Sequence, residues 1–209
     1  MLKKKDVKTV IERLVAEYPD AGCALDYGTR FQLLVSVMLS AQTTDASVNR
    51  VTPALFAKAP DAKAMAALPE EELQDIIRSI GLYKNKAKNV LAMSRQLLER
   101  FGGEVPHGRQ ELESLPGVGR KTANVVLAEG FGEQQIAVDT HVFRLANRIG
   151  LTAAKNVSET ESGLQKAIPE SQWTLMHHCL IFHGRRCCHA RGPNCEACPI
   201  NDVCEKNGL

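Results

Sequence analysis

The sequence predicts an all-α protein, and three observations carry that reading. Apolar residues recur at helical spacing along nearly the whole chain, while the two-residue alternation of a half-buried strand is almost absent. Helix-start and helix-stop residues punctuate those apolar runs at helix-length intervals. The composition is that of a globular protein, 44% hydrophobic and 24% charged over 209 residues, enough chain for one or two domains of about 150 residues.

Taken in order, Val7, Val10, Ile11, Leu14 and Val15 form one stripe of an opening helix. Residues 31–39 are a second apolar run; its length and the Thr/Asp capping residues after it favour a buried helix, although periodicity alone leaves a strand open. Thr44 can cap a helix beginning at Asp45, which Pro53 is expected to restart or kink. Pro69 followed by Glu70, Glu71 and Glu72 starts the next, with acids at the positive end of the helix dipole, and Gly81 is expected to end it. A long basic helix should run over residues 83–101 to Gly102 and Gly103. Short helices over 110–115 and 122–128 flank a glycine turn, and another over 139–149 stops at Gly150. Ser158 with Glu161 has the form of a capping box for a helix reaching Ile168, and Ser171 should start a last one ending near Gly184. The expected total is about nine or ten helices.

No stretch approaches the ~18 uninterrupted apolar residues of a membrane span, so no membrane partner is expected. The amino end places three lysines before any apolar run and interrupts that run with Asp6, Lys8 and Glu12; lacking a signal-peptide core, the protein is expected to be cytoplasmic. Net charge is only +2, which neither demands nor excludes a polyanionic partner. Its distribution is uneven. Arg78, Lys84, Lys86, Lys88, Arg95 and Arg100 face one acid, Glu99, across residues 78–100, whereas residues 61–75 hold five acids against Lys63. A basic face of this kind fits a phosphate backbone if other features point to one.

Cysteines supply the first asymmetry in chemistry. Cys23 and Cys179 stand apart, while Cys187, Cys188, Cys195, Cys198 and Cys204 crowd the carboxyl end, unlike a disulfide framework. The spacing C-x6-C-x2-C-x5-C from Cys188 to Cys204 lets four thiolates converge, and soft sulfur suits zinc or an iron–sulfur cluster. Only one C-x2-C pair is present and Pro199 follows Cys198, a pattern closer to cluster loops than to zinc sites. Cys187 and His189 flank Cys188 and are alternatives to it on spacing alone. Residues 187–209 carry net charge −1 and few apolar side chains, so a bound metal would be the core of this tail. Arg185, Arg186 and Arg191 nearby are candidate phosphate contacts.

Leu115-Pro116-Gly117-Val118-Gly119-Arg120-Lys121-Thr122-Ala123 joins two helices through a turn whose glycines let backbone N–H groups approach a ligand, next to a helix amino terminus. Such a helix-hairpin-helix grips a phosphate backbone without reading bases. Asp139 opens the helix after Ala137-Val138; capping alone would explain it, were it not for Lys121 and the thiol cluster in the same chain.

These motifs, together with Leu39-Ser40-Ala41-Gln42-Thr43-Thr44-Asp45, Ile80-Gly81-Leu82-Tyr83, Lys86-Ala87, Val138-Asp139-Thr140-His141-Val142 and His183-Gly184-Arg185, resemble the endonuclease III family over essentially the whole chain. The resemblance implies a helix-hairpin-helix DNA glycosylase fold: a six-helix domain over 23–133 carrying the hairpin at about 110–128, and a [4Fe-4S] cluster domain formed by 1–22 and 134–209. It implies a monomeric base excision repair enzyme that acts on double-stranded DNA with damaged bases or abasic sites, favouring oxidised or ring-saturated pyrimidines. Lys121 would be the nucleophile, forming a Schiff base that permits β-elimination on the 3′ side, and Asp139 its partner. Cys188, Cys195, Cys198 and Cys204 would hold the cluster, with DNA contacts from Gln42, Leu82, Lys84, Gly117, Val118, Gly119, Arg120 and His141. The alternatives are a monofunctional mismatch glycosylase, whose members lack a lysine at position 121, and a non-catalytic DNA-binding iron–sulfur module.

Overall fold

A computed structural model describes residues 1–209 and is helical throughout, without a strand. No helix is long and apolar enough to cross a membrane. The chain divides into two compact units, one of residues 24–132 and one of 1–23 with 133–209.

The middle unit contains α2 (Arg30–Leu39), α3 (Asp45–Lys58), α4 (Ala62–Ala67), α5 (Glu70–Ile76), α6 (Tyr83–Phe101), α7 (Arg109–Glu113) and α8 (Arg120–Phe131). Residues 31–39 do form a helix, because Thr29 accepts a hydrogen bond from Gln32 N and starts it; all but Gln32 in this run are buried. Thr44 caps α3 through Ser47 N. That helix continues through Pro53 to Lys58 instead of restarting there, although proline supplies no N–H to the Asn49 carbonyl. The short α4 is absent from the sequence expectation; Asp61, itself exposed, starts it by accepting from Ala64 N. Glu72 likewise pairs with Lys58, and Asp75 with Arg78. α5 stops at Ile76, five residues before the expected Gly81, and the connection to α6 is made of turns. α6 has the bounds expected, ended by Gly102 at φ +62°. α2 packs on α8, and α4 and α5 on α6, around Leu33, Leu34, Met65, Leu73, Leu91 and Leu97.

The terminal unit contains α1 (Lys4–Glu17), α9 (Thr140–Ile149), α10 (Val157–Ala167), a short 3-10 turn (Glu170–Gln172), α11 (Trp173–Arg186) and the cysteine tail. Its core joins Val10, Leu14 and Tyr18 of the amino end to Val142, Leu145, Met176, Leu180 and Ile200. The expected capping box at Ser158 is displaced. Asn156 is the cap, accepting from Glu159 N while Glu159 reaches back to Lys155 N, which leaves Ser158 inside the helix. The last helix starts at Trp173, after the 3-10 turn, and runs past Gly184 to Arg186. The glycine at 184 serves packing instead of termination: a β-carbon there would lie 2.7 Å from His141 Nδ1 and 3.1 Å from Arg144 Nη2, so α9 could not approach. In all there are eleven α-helices, more than expected.

Candidate functional site

In the middle unit, Leu115 and Val118 are buried and hold the hairpin to the core, while Gly117, at φ +76°, turns the chain where a β-carbon would lie 2.9 Å from Asn89 Cβ. Gly119 is the N-cap of α8, and no side chain caps it. The first-turn N–H groups of α8, which no intrahelical carbonyl can satisfy, therefore remain available to an anion at the positive end of the helix dipole. Arg120 and Lys121 are exposed in this first turn. The structure thus puts a primary amine within the turn suited to phosphate.

Two further turns meet in the same unit. Gln42 and Leu82 both have left-handed backbones, φ 53° and 58°, strained for residues with a β-carbon. A β-carbon at Gly81 would lie 3.8 Å from Gln42 O, so the turns are in contact. Leu82 is 53% exposed, an apolar side chain presented to solvent. Lys86, one turn into α6, is buried and donates through Nζ to Thr43 Oγ1 at 2.7 Å, joining the two turns. Burial lowers its pKa. It is therefore withdrawn from the basic face, whereas Arg78, paired with Asp75, and Arg100, bonded to Ser114, stay exposed with Lys84, Lys88 and Arg95.

In the terminal unit, Asp139 is the N-cap of α9, its Oδ1 accepting from Val142 N at 2.8 Å. His141, part-buried two residues on, has its pKa lowered by burial, with Asp139 opposing the shift. Arg144 fixes the other side of α9, donating to Gly184 O and Cys188 O.

The tail folds around a partly open cavity lined by Cys187, Cys188, Cys195, Cys198, Cys204 and His183, with Ile149 and Ile200 also in its wall. All four spaced cysteines reach one space, and Cys187 joins them. The nearest mutual group is His183, Cys187 and Cys198, whose ligand atoms lie within 4.8 Å of one another. N–H groups are aimed at two of the sulfurs, and a ring nitrogen meets a third. Arg148 Nη1 donates to Cys188 Sγ at 3.5 Å, Lys206 N to Cys204 Sγ at 3.4 Å, and His183 Nε2 lies 3.6 Å from Cys198 Sγ. Donors around sulfur suit anionic thiolates, so the donor set has the chemistry of a soft-metal site. Desolvation raises the pKa of Cys198 and pushes Cys187 up to about 12, which leaves Cys187 a thiol unless a cation compensates. His183 falls to about 4, also by desolvation, and stays neutral. Arg186, expected to face phosphate, instead pairs with Asp20 at 2.7 Å and stacks on Phe182.

Residues 35–170 match the HhH-GPD superfamily of base excision DNA repair proteins. Endonuclease III of Bacillus subtilis is 47% identical over 207 residues, 99% of this chain and 94% of that protein. This chain belongs to the endonuclease III family. Endonuclease III of Escherichia coli K12 is 47% identical over 196 residues, covering 94% of this chain and 93% of its own. A structure described as a trapped endonuclease III–DNA covalent intermediate, in an estranged-adenine complex, superposes with a TM-score of 0.94 at 46% identity, covering 99% of this chain and 97% of that one. Family membership and the cysteine and histidine cluster together mark the tail cavity as a metal site. Sequence reasoning missed Lys86 as a buried tie, Arg148 as a donor to sulfur, and His183 with Tyr18 as neighbours of Cys198. The HGR string held His183, but nothing in its spacing pointed toward the cavity.

Proposed function

We propose that this chain removes damaged pyrimidines from duplex DNA and then cleaves the abasic strand on the 3′ side. The observation that carries the reading is the exposed amine of Lys121 in the uncapped first turn of α8, beyond a glycine hairpin. Phosphate oxygens accept from N–H groups of that turn, which brings the adjoining sugar to the amine. A target nucleotide must leave the stack to be reached, at a cost of a few kcal/mol that is smaller for a damaged base. Leu82 and Gln42, held in strained turns, fill the space it vacates.

The Lys121 amine, neutral when it attacks, bonds to C1′ as the C1′–N bond to the base breaks, and the base leaves with the electron pair. Ring opening gives a Schiff base; loss of a C2′ proton then expels the 3′ phosphate. Water releases the lysine. Asp139 stabilises the cationic sugar as the bond breaks, a role suited to a carboxylate already fixed by its cap bond to Val142 N.

Cys188, Cys195, Cys198 and Cys204 would hold a [4Fe-4S] cluster, for which the multi-thiol cavity and its N–H donors are suited. When bound, it supplies four iron–thiolate cross-links that complete the tail. Borohydride reduction with a thymine-glycol duplex should trap wild-type protein covalently, while Lys121→Gln should trap none. Trapping of Lys121→Gln at wild-type yield would show that another amine is the nucleophile. Nicking of an abasic duplex by the wild type separates this reading from a monofunctional mismatch glycosylase.

A further inference from the structure

We propose that His183, oriented by Tyr18, donates a hydrogen bond to the Cys198 sulfur and thereby raises the reduction potential of the iron–sulfur centre. The inference rests on the cluster reading above and concerns residues outside its ligand set. His183 lies on α11 and is 1% exposed, and Tyr18, at the end of α1, is 3% exposed. Tyr18 Oη is 2.8 Å from His183 Nδ1, and His183 Nε2 is 3.6 Å from Cys198 Sγ.

The direction of this chain follows from its sulfur end. A metal-bound thiolate has no proton and can only accept, so Nε2 must carry the hydrogen. In the neutral ring Nδ1 is then the acceptor, and the Tyr18 O–H is the donor that meets it. Each donor has one acceptor. The opposite tautomer would point a bare nitrogen lone pair at a thiolate, a repulsive contact in a buried site. Tyr18 therefore fixes which imidazole nitrogen faces the metal ligand, as the partners of metal-site histidines generally do.

A hydrogen bond to a ligand sulfur draws charge from it and favours the more reduced, more negative form, which raises the potential. One electron enters the centre, no covalent bond changes, and the proton stays on Nε2. Among the N–H donors to sulfur, His183 is also the one whose removal isolates this effect. Arg148 donates as well to His189 O and Ala190 O, and Lys206 acts through its backbone, so neither can be deleted without disturbing the tail. The His183 side chain bonds only to Tyr18 and Cys198.

The test is protein-film voltammetry on full-length holoprotein, where the electrode supplies the electron, after iron analysis of each preparation. His183→Phe should shift the potential to more negative values, and Tyr18→Phe should shift it the same way by less, because the Nε2–H remains but loses its polarising partner. His183→Gln, which keeps an N–H donor, should stay nearer the wild type. Pulsed EPR in D2O should show an exchangeable proton coupled to the wild-type centre and absent in His183→Phe. Should His183→Phe fail to retain iron, Tyr18→Phe and His183→Gln carry the decision. An iron-loaded set with unchanged or more positive potentials overturns the proposal. Wild-type protein that binds no iron defeats the cluster reading itself, and iron analysis reveals this before any potential is measured.

Discussion

The middle unit and the terminal unit are both helical, yet they are held together differently. In the middle unit, wholly buried leucines from α2, α3, α5, α6 and α7 meet in one core, and stability there scales with apolar area removed from water. In the terminal unit α1, α9 and α11 share a smaller core, while residues 187–209 form no α-helix and contribute Ile200 as their fully buried aliphatic side chain. That tail is held by charged and polar ties: Arg144 to Cys188 O, Arg148 to His189 O and Ala190 O, and Arg13 to Asp202 and Pro199 O. Where hydrophobic surface is scarce, directional bonds and metal ligation take over, and the resulting region is more conditional on its surroundings.

The sharpest way to break this contrast is to remove the metal. Chelation with oxidation should expose residues 187–209 to limited proteolysis while the 24–132 fragment stays helical by circular dichroism; simultaneous loss of both would mean that the middle unit has no separate core. Next in size is a pair of substitutions. Leu97→Ala should cost about 3 kcal/mol in denaturant unfolding by opening a cavity, with metal content unchanged. Arg148→Met should cost about 2 kcal/mol, because buried tail carbonyls lose a charged donor, and should also lower metal retention. Equal metal loss in both would erase the distinction.

A smaller effect separates stability from activity. Lys86→Met should change stability by no more than about 1 kcal/mol, since a buried ammonium bonded to a hydroxyl is a weak stabiliser. It should nevertheless reduce turnover on damaged duplex about tenfold, on the order of 1.4 kcal/mol in the barrier, by loosening the tie between the Gln42 and Leu82 turns. A 2-aminopurine reporter opposite the lesion would read the loss directly. The smallest effect is in acid. Hydrogen bonds from Arg186 and Arg13 hold Asp20 and Asp202 below the usual carboxylate range. A lowered carboxylate pKa contributes stability that is present at neutral pH and disappears as pH falls through the folded-state value. Asp20→Asn should therefore flatten the acid limb of the terminal unit's unfolding below about pH 4 and leave the neutral region almost unchanged.

Long helices with an apolar stripe and a glycine stop were legible to the residue, as α6 and the Asp139 cap show. Elements decided by competition between nearby caps were not. Asn156 caps in place of Ser158 because it bonds Glu159 twice, accepting from its backbone N–H and donating to its carboxylate, and the six-residue α4 is too short to show a period. In the candidate sites the thiol spacing and the hairpin string were readable because each is local. The Tyr18–His183 contact spans 165 residues of sequence and Lys86–Thr43 spans 43, so neither leaves a trace in any window of the chain.

Because α1 packs on α11 and the adjoining Tyr18 reaches His183, a helix made before residues 24–132 finds its place only after them. On a ribosome the 24–132 segment emerges complete while the greasy side of that first helix still waits for a partner not yet translated. Newly made protein therefore passes through a stage with one finished half and one sticky, unclosed end, and any chaperone serving this molecule has its work set out there.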